Sequence, residues 1–246
     1  IMSAINPKYA LDYYNSTDLA SIIYRPMSKT LVDYYPTEAK AYYPVDETGK
    51  TALAYVQEAG YEMKNGVLTN SAGEKLKFTF TIAGDSQDHP AYNALNNAAK
   101  VLNNIGFDIT VTTDSTALVK LATGRLEVWA AAWSSSSDPD MYQVYHKDST
   151  ATSILNWGFP TLERDGSSLE KDLLEALAAK IEAGRETTVV SERRNAYSVS
   201  TSPSLYTVTK DENGDVTIAE TPGADMDNLC ALDLVMELAV EYPLYQ

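Results

Sequence analysis

The sequence predicts an α/β fold built on a parallel sheet. Three observations carry this. Leu76–Ala83 alternates, with Leu76, Phe78, Phe80 and Ile82 set against Lys75, Lys77, Thr79 and Thr81, as a strand with one buried face does. A helical stretch with Ala94, Leu95, Ala98, Leu102 and Ile105 on one side then separates it from a second alternating run, Phe107–Thr113. A shorter helical stretch, Ser115–Ala122, leads to a third apolar run, Val128–Trp133. Strand, helix, strand, helix, strand implies parallel strands joined by right-handed crossovers.

The remaining elements follow in order. Ile1–Asn6 reads as the end of a helix, because Pro7 pushes Asn6 out of the helical region. Residues 7–50 carry tyrosines and prolines without a period, and a short helical piece is expected at Ser16–Ile23. Thr51–Ala59 is a short helix stopped by Gly60. Asn65-Gly66 marks a hairpin turn. Pro90 suits the first position of the long helix that Gly106 ends. Ser115–Ala122 should turn Leu118 and Leu121 inward, with Gly124 as its stop. Pro139–His146 is expected to be a helix capped by Asp138, and Ser149–Asn156 a polar loop. Leu169–Ile181 is amphipathic, with Gly184 as its expected end, and another helix covers Thr187–Tyr197. Leu205–Val208 and Val216–Ala219 flank Lys210–Asp215, a β-hairpin signature. Ala231–Glu241 is a last helix, and Leu244–Gln246 begins a strand.

Chemistry concentrates in Gly124–His146. Parallel strands end on one side, which places Gly84–His89, Asp114 and Trp133–Asp140 along one rim. Ligands of open α/β sheets collect beyond such strand ends. The third strand runs into Trp133, four serines, and then Asp138-Pro139-Asp140. An indole for stacking, hydroxyls, and two carboxylates suit holding a polar ligand better than transforming one. An ordinary Ser/Asp/Pro turn has the same composition. Asp138 reads as a cap before a ligand contact, and Trp157 in Asn156-Trp157-Gly158-Phe159 is core packing as readily as a cleft wall.

Trp133 followed by Asp138-Pro139-Asp140 and Tyr142 resembles the extracellular solute-binding proteins of peptide and nickel ABC importers (family 5). Tyr55–Tyr61, Lys77–Ile82, Ala98–Thr112, Leu118–Gly124 and Leu232–Tyr245 fall in that family's order. The resemblance implies a type II periplasmic-binding-protein-like lobe, with a central mixed sheet flanked by helices. It implies that residues 1–246 are a single lobe, the second of two, and that residues 198–229 are an inserted surface hairpin. In that reading Tyr24–Met27 shapes the pocket. The ligand-binding residues would be Trp133, Ser134, Ser135, Ser136, Asp138, Tyr142 and Trp157. The ligand would be an oligopeptide or similar small molecule, the partners the missing first lobe and an ABC permease in the membrane. The location would be the cell surface, as a lipoprotein, or the periplasm. One departure matters: peptide-binding members often place an aspartate three residues after this tryptophan, to pair with the ligand's amino group. Ser136 occupies that place here, and a neutral hydroxyl supplies no charge-assisted bond.

Composition narrows the alternatives. A net charge of −15 argues against nucleic acid or an anionic membrane as partner. One cysteine, Cys230, rules out an internal disulfide, and two histidines, His89 and His146, lack metal-site spacing. No cofactor or metal is expected. No G-x-S-x-G elbow or phosphate-binding loop occurs. Ile1–Ile5 lacks the basic segment and cleavage site of a signal peptide and reads as the middle of a helix, so an excised piece is expected. The 17 tyrosines should sit at interfaces, where the phenol finds a partner. Two rival readings stand beside a receptor: a hydrolase using the Asp138/Asp140 rim, and a structural surface module.

Overall fold

The structure, a computed structural model, describes residues 1–15, 18–132, 134, 136–151 and 153–246. A 3₁₀ turn, Met2–Ala4, takes the place of the expected helix end, and α1 (Lys8–Leu11) starts directly after Pro7. The expected helix at 16–23 is not seen over 18–23, and residues 16 and 17 lie outside the described residues. Helix α2 (Lys50–Glu58) ends at Gly60, whose φ is +83°. Strands β1 (Glu62–Lys64) and β2 (Val67–Thr69) form the hairpin whose turn needs positive φ at Asn65 and Gly66.

The central sheet is β3 (Lys77–Ala83), β4 (Asp108–Asp114) and β5 (Val128–Ala130), in the order β4-β3-β5 and parallel throughout. The antiparallel pairs are separate two-stranded sheets, so the α/β architecture holds while the central sheet is not mixed. Helix α3 (Pro90–Asn104) links β3 to β4 and buries Ala94, Leu95, Ala98 and Leu102, the apolar face read from the sequence. Helix α4 (Ala117–Leu121) is only five residues long. It buries the i,i+4 pair Ala117 and Leu121, so Leu118 points outward and is 64% exposed rather than packed inside.

After β5 the chain is helical: α5 (Tyr142–Tyr145), α6 (Ser153–Trp157), α7 (Phe159–Asp165), α8 (Ser168–Glu186) and α9 (Val190–Ser198). Helix α6 replaces the second half of the loop expected over 149–156. Strands β6 (Tyr206–Lys210) and β7 (Val216–Glu220) form the second hairpin, and α10 (Ala231–Glu237) follows it. That hairpin is largely exposed but tethered: Lys210 Nζ lies 3.1 Å from Asp46, and Lys50 Nζ reaches the carbonyl of Asn213 at 3.2 Å. Helix α10 stops four residues short of its expected end because Ala239 turns left-handed at φ +54°. No strand forms at the C-terminus; Gln246 and Ser21 exchange one reciprocal pair of backbone hydrogen bonds at 2.7 and 2.8 Å.

Gly184 does not end its helix. It lies inside α8, where a Cβ would sit 2.1 Å from the Tyr197 ring of α9. The missing side chain lets the two helices approach. Gly184→Ala should therefore lower stability by about 1–3 kcal/mol through overpacking, despite the ~1 kcal/mol alanine gains in helix propensity. Urea denaturation checks this.

Two cores result. Phe80, Ile82, Leu95, Leu102 and Ile109 centre the sheet core. Leu174, Leu177, Ile181, Tyr197 and Leu232 centre the helical core, under α8, α9 and α10. Strand β5 joins them by its alternation: Val128 and Ala130 pack on the sheet core, Trp129 on the helical one. The segment that follows β5 therefore leaves from the boundary between the cores.

Candidate ligand-binding rim

The parallel register aligns three strand ends. Ala83 pairs with Asp114, Ile82 with Ala130, and the Gly84 N–H donates to the Asp114 carbonyl at 3.1 Å. The chain emerging from β5 beside them is open: Ser134, Ser136, Ser137, Asp138 and Asp140 are exposed. Trp133 and Ser135, both expected to contact ligand, lie outside the described residues.

Short-range polar contacts shape this loop. The Asp138 N–H donates to Ser136 Oγ, the Asp140 N–H to Asp138 Oδ1, and the Tyr142 N–H to Asp140 Oδ1, each at 3.0 Å. Such side-chain turns satisfy the backbone without a helix. They delay the helix to Tyr142, so Asp138 does not cap it as expected; Asp140 binds its first amide instead. The other oxygen of Asp140 meets Arg185 Nε of α8 at 3.2 Å. Asp114, at the end of β4, is bonded by Lys120 and Thr116, which hold its carboxyl down to about 2.

Tyr142 is half-buried. Its ring stacks on His146 with centroids 4.2 Å apart, and the Arg185 guanidinium lies 4.3 Å from the same ring. His146 Nδ1 accepts from the Asp148 N–H, and Nε2 faces Glu182 of α8 at 3.3 Å. His89 likewise uses Nδ1 for a backbone amide, that of Ala91 in α3. Among the described residues no group of three or more His, Cys, Asp or Glu is placed to hold a metal ion.

Trp157 lies beneath the rim and not on it. It is 7% exposed, its Nε1 donates to the Val144 carbonyl at 2.8 Å, and its ring stacks on Trp129 and Tyr145 at 5.6 and 5.7 Å. Burial leaves no indole face for a ligand, so the expected cleft wall is core packing. The sequence reading missed Trp129, Arg185 and Glu241. Trp129 was legible as the odd position of a strand between Val128 and Ala130. Arg185 was hidden because Gly184 was read as a helix end.

Tyr145 donates to Glu241 Oε2 at 2.5 Å. Burial pushes Glu241 up to about 7, while the Tyr145 bond opposes the shift. Folding therefore takes up a proton between the ordinary glutamate value of 4.5 and about 7. The stability contributed by neutral Glu241 is complete below that range and is lost as pH rises through 7. Glu241→Gln should raise stability relative to the parent at pH 8 and not at pH 5. Equal shifts in urea midpoint at both pH values would contradict this.

No protein-family model matches the chain, and no curated protein matches it. Solved structures do. The oligopeptide-binding protein AppA of Bacillus subtilis, in complex with a nonapeptide, aligns with a TM-score of 0.56 at 19% identity, over 78% of this chain and 37% of that one. A nickel ABC transporter protein from Bacillus halodurans gives 0.58 at 16%, over 99% and 41%. The fold is type II periplasmic-binding-protein-like. The periplasmic binding protein MelB of Agrobacterium fabrum, in complex with stachyose, gives 0.58 at 14% identity, over 99% of this chain and 32% of that one. The chain thus spans about a third to two fifths of the length of these structures. Two of them hold different ligands, a nonapeptide in AppA and stachyose in MelB.

Proposed function

We propose that this chain is the second lobe of a two-lobed, non-catalytic receptor that delivers a small polar solute to an ABC importer. One observation carries the reading: three parallel strand ends lie in register beside an exposed loop of hydroxyls in which, among the described residues, Asp138 Oδ2 has no partner. Solute is held by Ser134, Ser136 and Asp138 and by the edge of Tyr142. Trp133 and Ser135 belong to the same set. A first lobe closes over them, because closure is favoured only where it adds contacts to the ligand. The ligand is an oligopeptide or a molecule of similar size and polarity. The receptor works outside the cytoplasmic membrane, in the periplasm or as a lipoprotein. Among the described residues no helix is long and apolar enough to cross a membrane.

The rim supports binding over hydrolysis. Asp114 is bonded by Lys120 and Thr116, which lower its affinity for a proton, so it is not poised as a general acid. Native mass spectrometry of the two-lobed protein tests the proposal. A retained small molecule, with affinity lowered about tenfold by Asp138→Asn or Ser136→Ala, about 1.4 kcal/mol, is the expected result. Turnover of broad chromogenic substrates, abolished by Asp138→Asn, would overturn it.

A further inference from the structure

The rim loop is gripped from outside by one side chain. Arg185, in the last turn of α8, touches the loop twice: Nε meets Asp140 Oδ2 at 3.2 Å, and the guanidinium lies 4.3 Å from the centre of the Tyr142 ring. These contacts straddle the point where the loop becomes α5. Tyr142 in turn stacks on His146, which is buried and faces Glu182, three residues before Arg185 on α8. Arg185 thus covers one end of a short stack whose other end, His146, faces Glu182. The planar guanidinium can pair with a carboxylate through its edge while its face lies on a ring.

We propose that Arg185 is the positioning residue of the binding rim and sets how many carboxylates the rim offers. Asp140 is fully engaged, with Oδ1 on the Tyr142 amide and Oδ2 on Arg185. Asp138 has only Oδ1 engaged, on the Asp140 amide. Among the described residues the loop therefore presents a single carboxylate, flanked by hydroxyls, to whatever binds. A ligand with one cationic or strongly hydrogen-bond-donating group among neutral polar ones matches this surface. A ligand with two cationic groups side by side does not. The ligand class rests on the function proposed above; the positioning role does not.

An exposed ion pair stabilises little by itself, so the test reads loop geometry and not melting temperature. The amides of Asp138, Asp140 and Tyr142 are bonded within the loop and serve as reporters in hydrogen–deuterium exchange of this chain. Arg185→Gln should speed their exchange at least tenfold while α10 amides keep their rates. Arg185→Lys should fall between. Asp140→Asn, at an exposed site, should reproduce the effect, and the double variant should be no worse than Arg185→Gln alone. Unchanged reporter rates in folded Arg185→Gln or in Asp140→Asn overturn the proposal. In the two-lobed protein, a tripeptide pool and a neutral tetrasaccharide are the probes. Arg185→Gln should weaken whichever probe the parent binds about tenfold and should improve relative binding of Lys-Lys-Ala over Ala-Lys-Ala. Unaltered affinity and preference overturn the specificity claim. A parent that binds neither probe refutes the receptor reading, while the exchange rates still decide the role of Arg185.

Discussion

Trp157→Ala should cost about 3–5 kcal/mol of stability, the range for deleting a large buried aromatic. The indole is covered by Trp129 on one contact and Tyr145 on another, and these two do not have the volume to collapse into the space it leaves. The loss reaches beyond the cavity. Trp157 supports Tyr145, which holds Glu241, and Trp129, which ties β5 to the helical core. Trp157→Phe keeps most of the ring contact and gives up the bond to the Val144 carbonyl, at about 1 kcal/mol. Chemical denaturation of both variants checks this. The pair also separates two roles for the residue. A core tryptophan makes Trp157→Phe mild in stability and silent in ligand affinity; a cleft wall would make it silent in stability and costly in affinity. Trp157→Ala within 1 kcal/mol of the parent would refute the packing account.

Arg25→Ala is expected to cost as much, about 3–5 kcal/mol, by a different route. Arg25 is buried. Its Nε donates to Asp233 of α10 at 2.5 Å, its Nη1 to the carbonyls of Tyr24 and Lys40, and its guanidinium lies 4.9 Å from the centre of the Tyr42 ring. It thereby fastens the irregular 21–43 segment to α10. Removing it leaves the Asp233 carboxylate in a poorly hydrated site, with Ser200 as its remaining hydroxyl partner. Replacing both charges, as Arg25→Met with Asp233→Leu, should recover much of the loss, because the penalty lies mainly in the stranded charge. A double variant no more stable than Arg25→Ala would show that the bonds to the Tyr24 and Lys40 carbonyls carry the effect instead. Sequence reasoning assigned Tyr24–Met27 to the pocket; Arg25 faces inward.

Where the sequence was legible, the signal was local. Asn65-Gly66 specified its turn because both positions need positive φ. Pro90 and Gly106 bounded α3 because one fits a first turn and the other a left-handed stop, at φ +100°. The alternation of Leu76–Ala83 located β3, although Thr81 on its second face is buried too, since packing covers both sides there. Where the reading failed, a distant contact decided. Gly184 resembles a helix terminator in one dimension; Tyr197, thirteen residues on, makes it a packing glycine. Leu118 belongs to an apolar pattern, yet α4 is too short to bury more than one stripe. Asp138 stands where a cap would be useful, but Pro139 and Asp140 favour successive side-chain turns.

The sequence alone therefore determined the three strands of the central sheet, the helices that link them, their parallel direction and the side on which they end. Periodicity and turn residues act over a few positions, and handed crossovers leave few ways to join them. Only the tertiary structure decided which side chains face the rim. It sank Trp157 into the core, drew Arg185 onto Asp140 and Tyr142, and left Asp138 with one oxygen that has no partner among the described residues. These outcomes depend on how α8 lies against α5 and α5 against α6, relations between surfaces that no local pattern encodes.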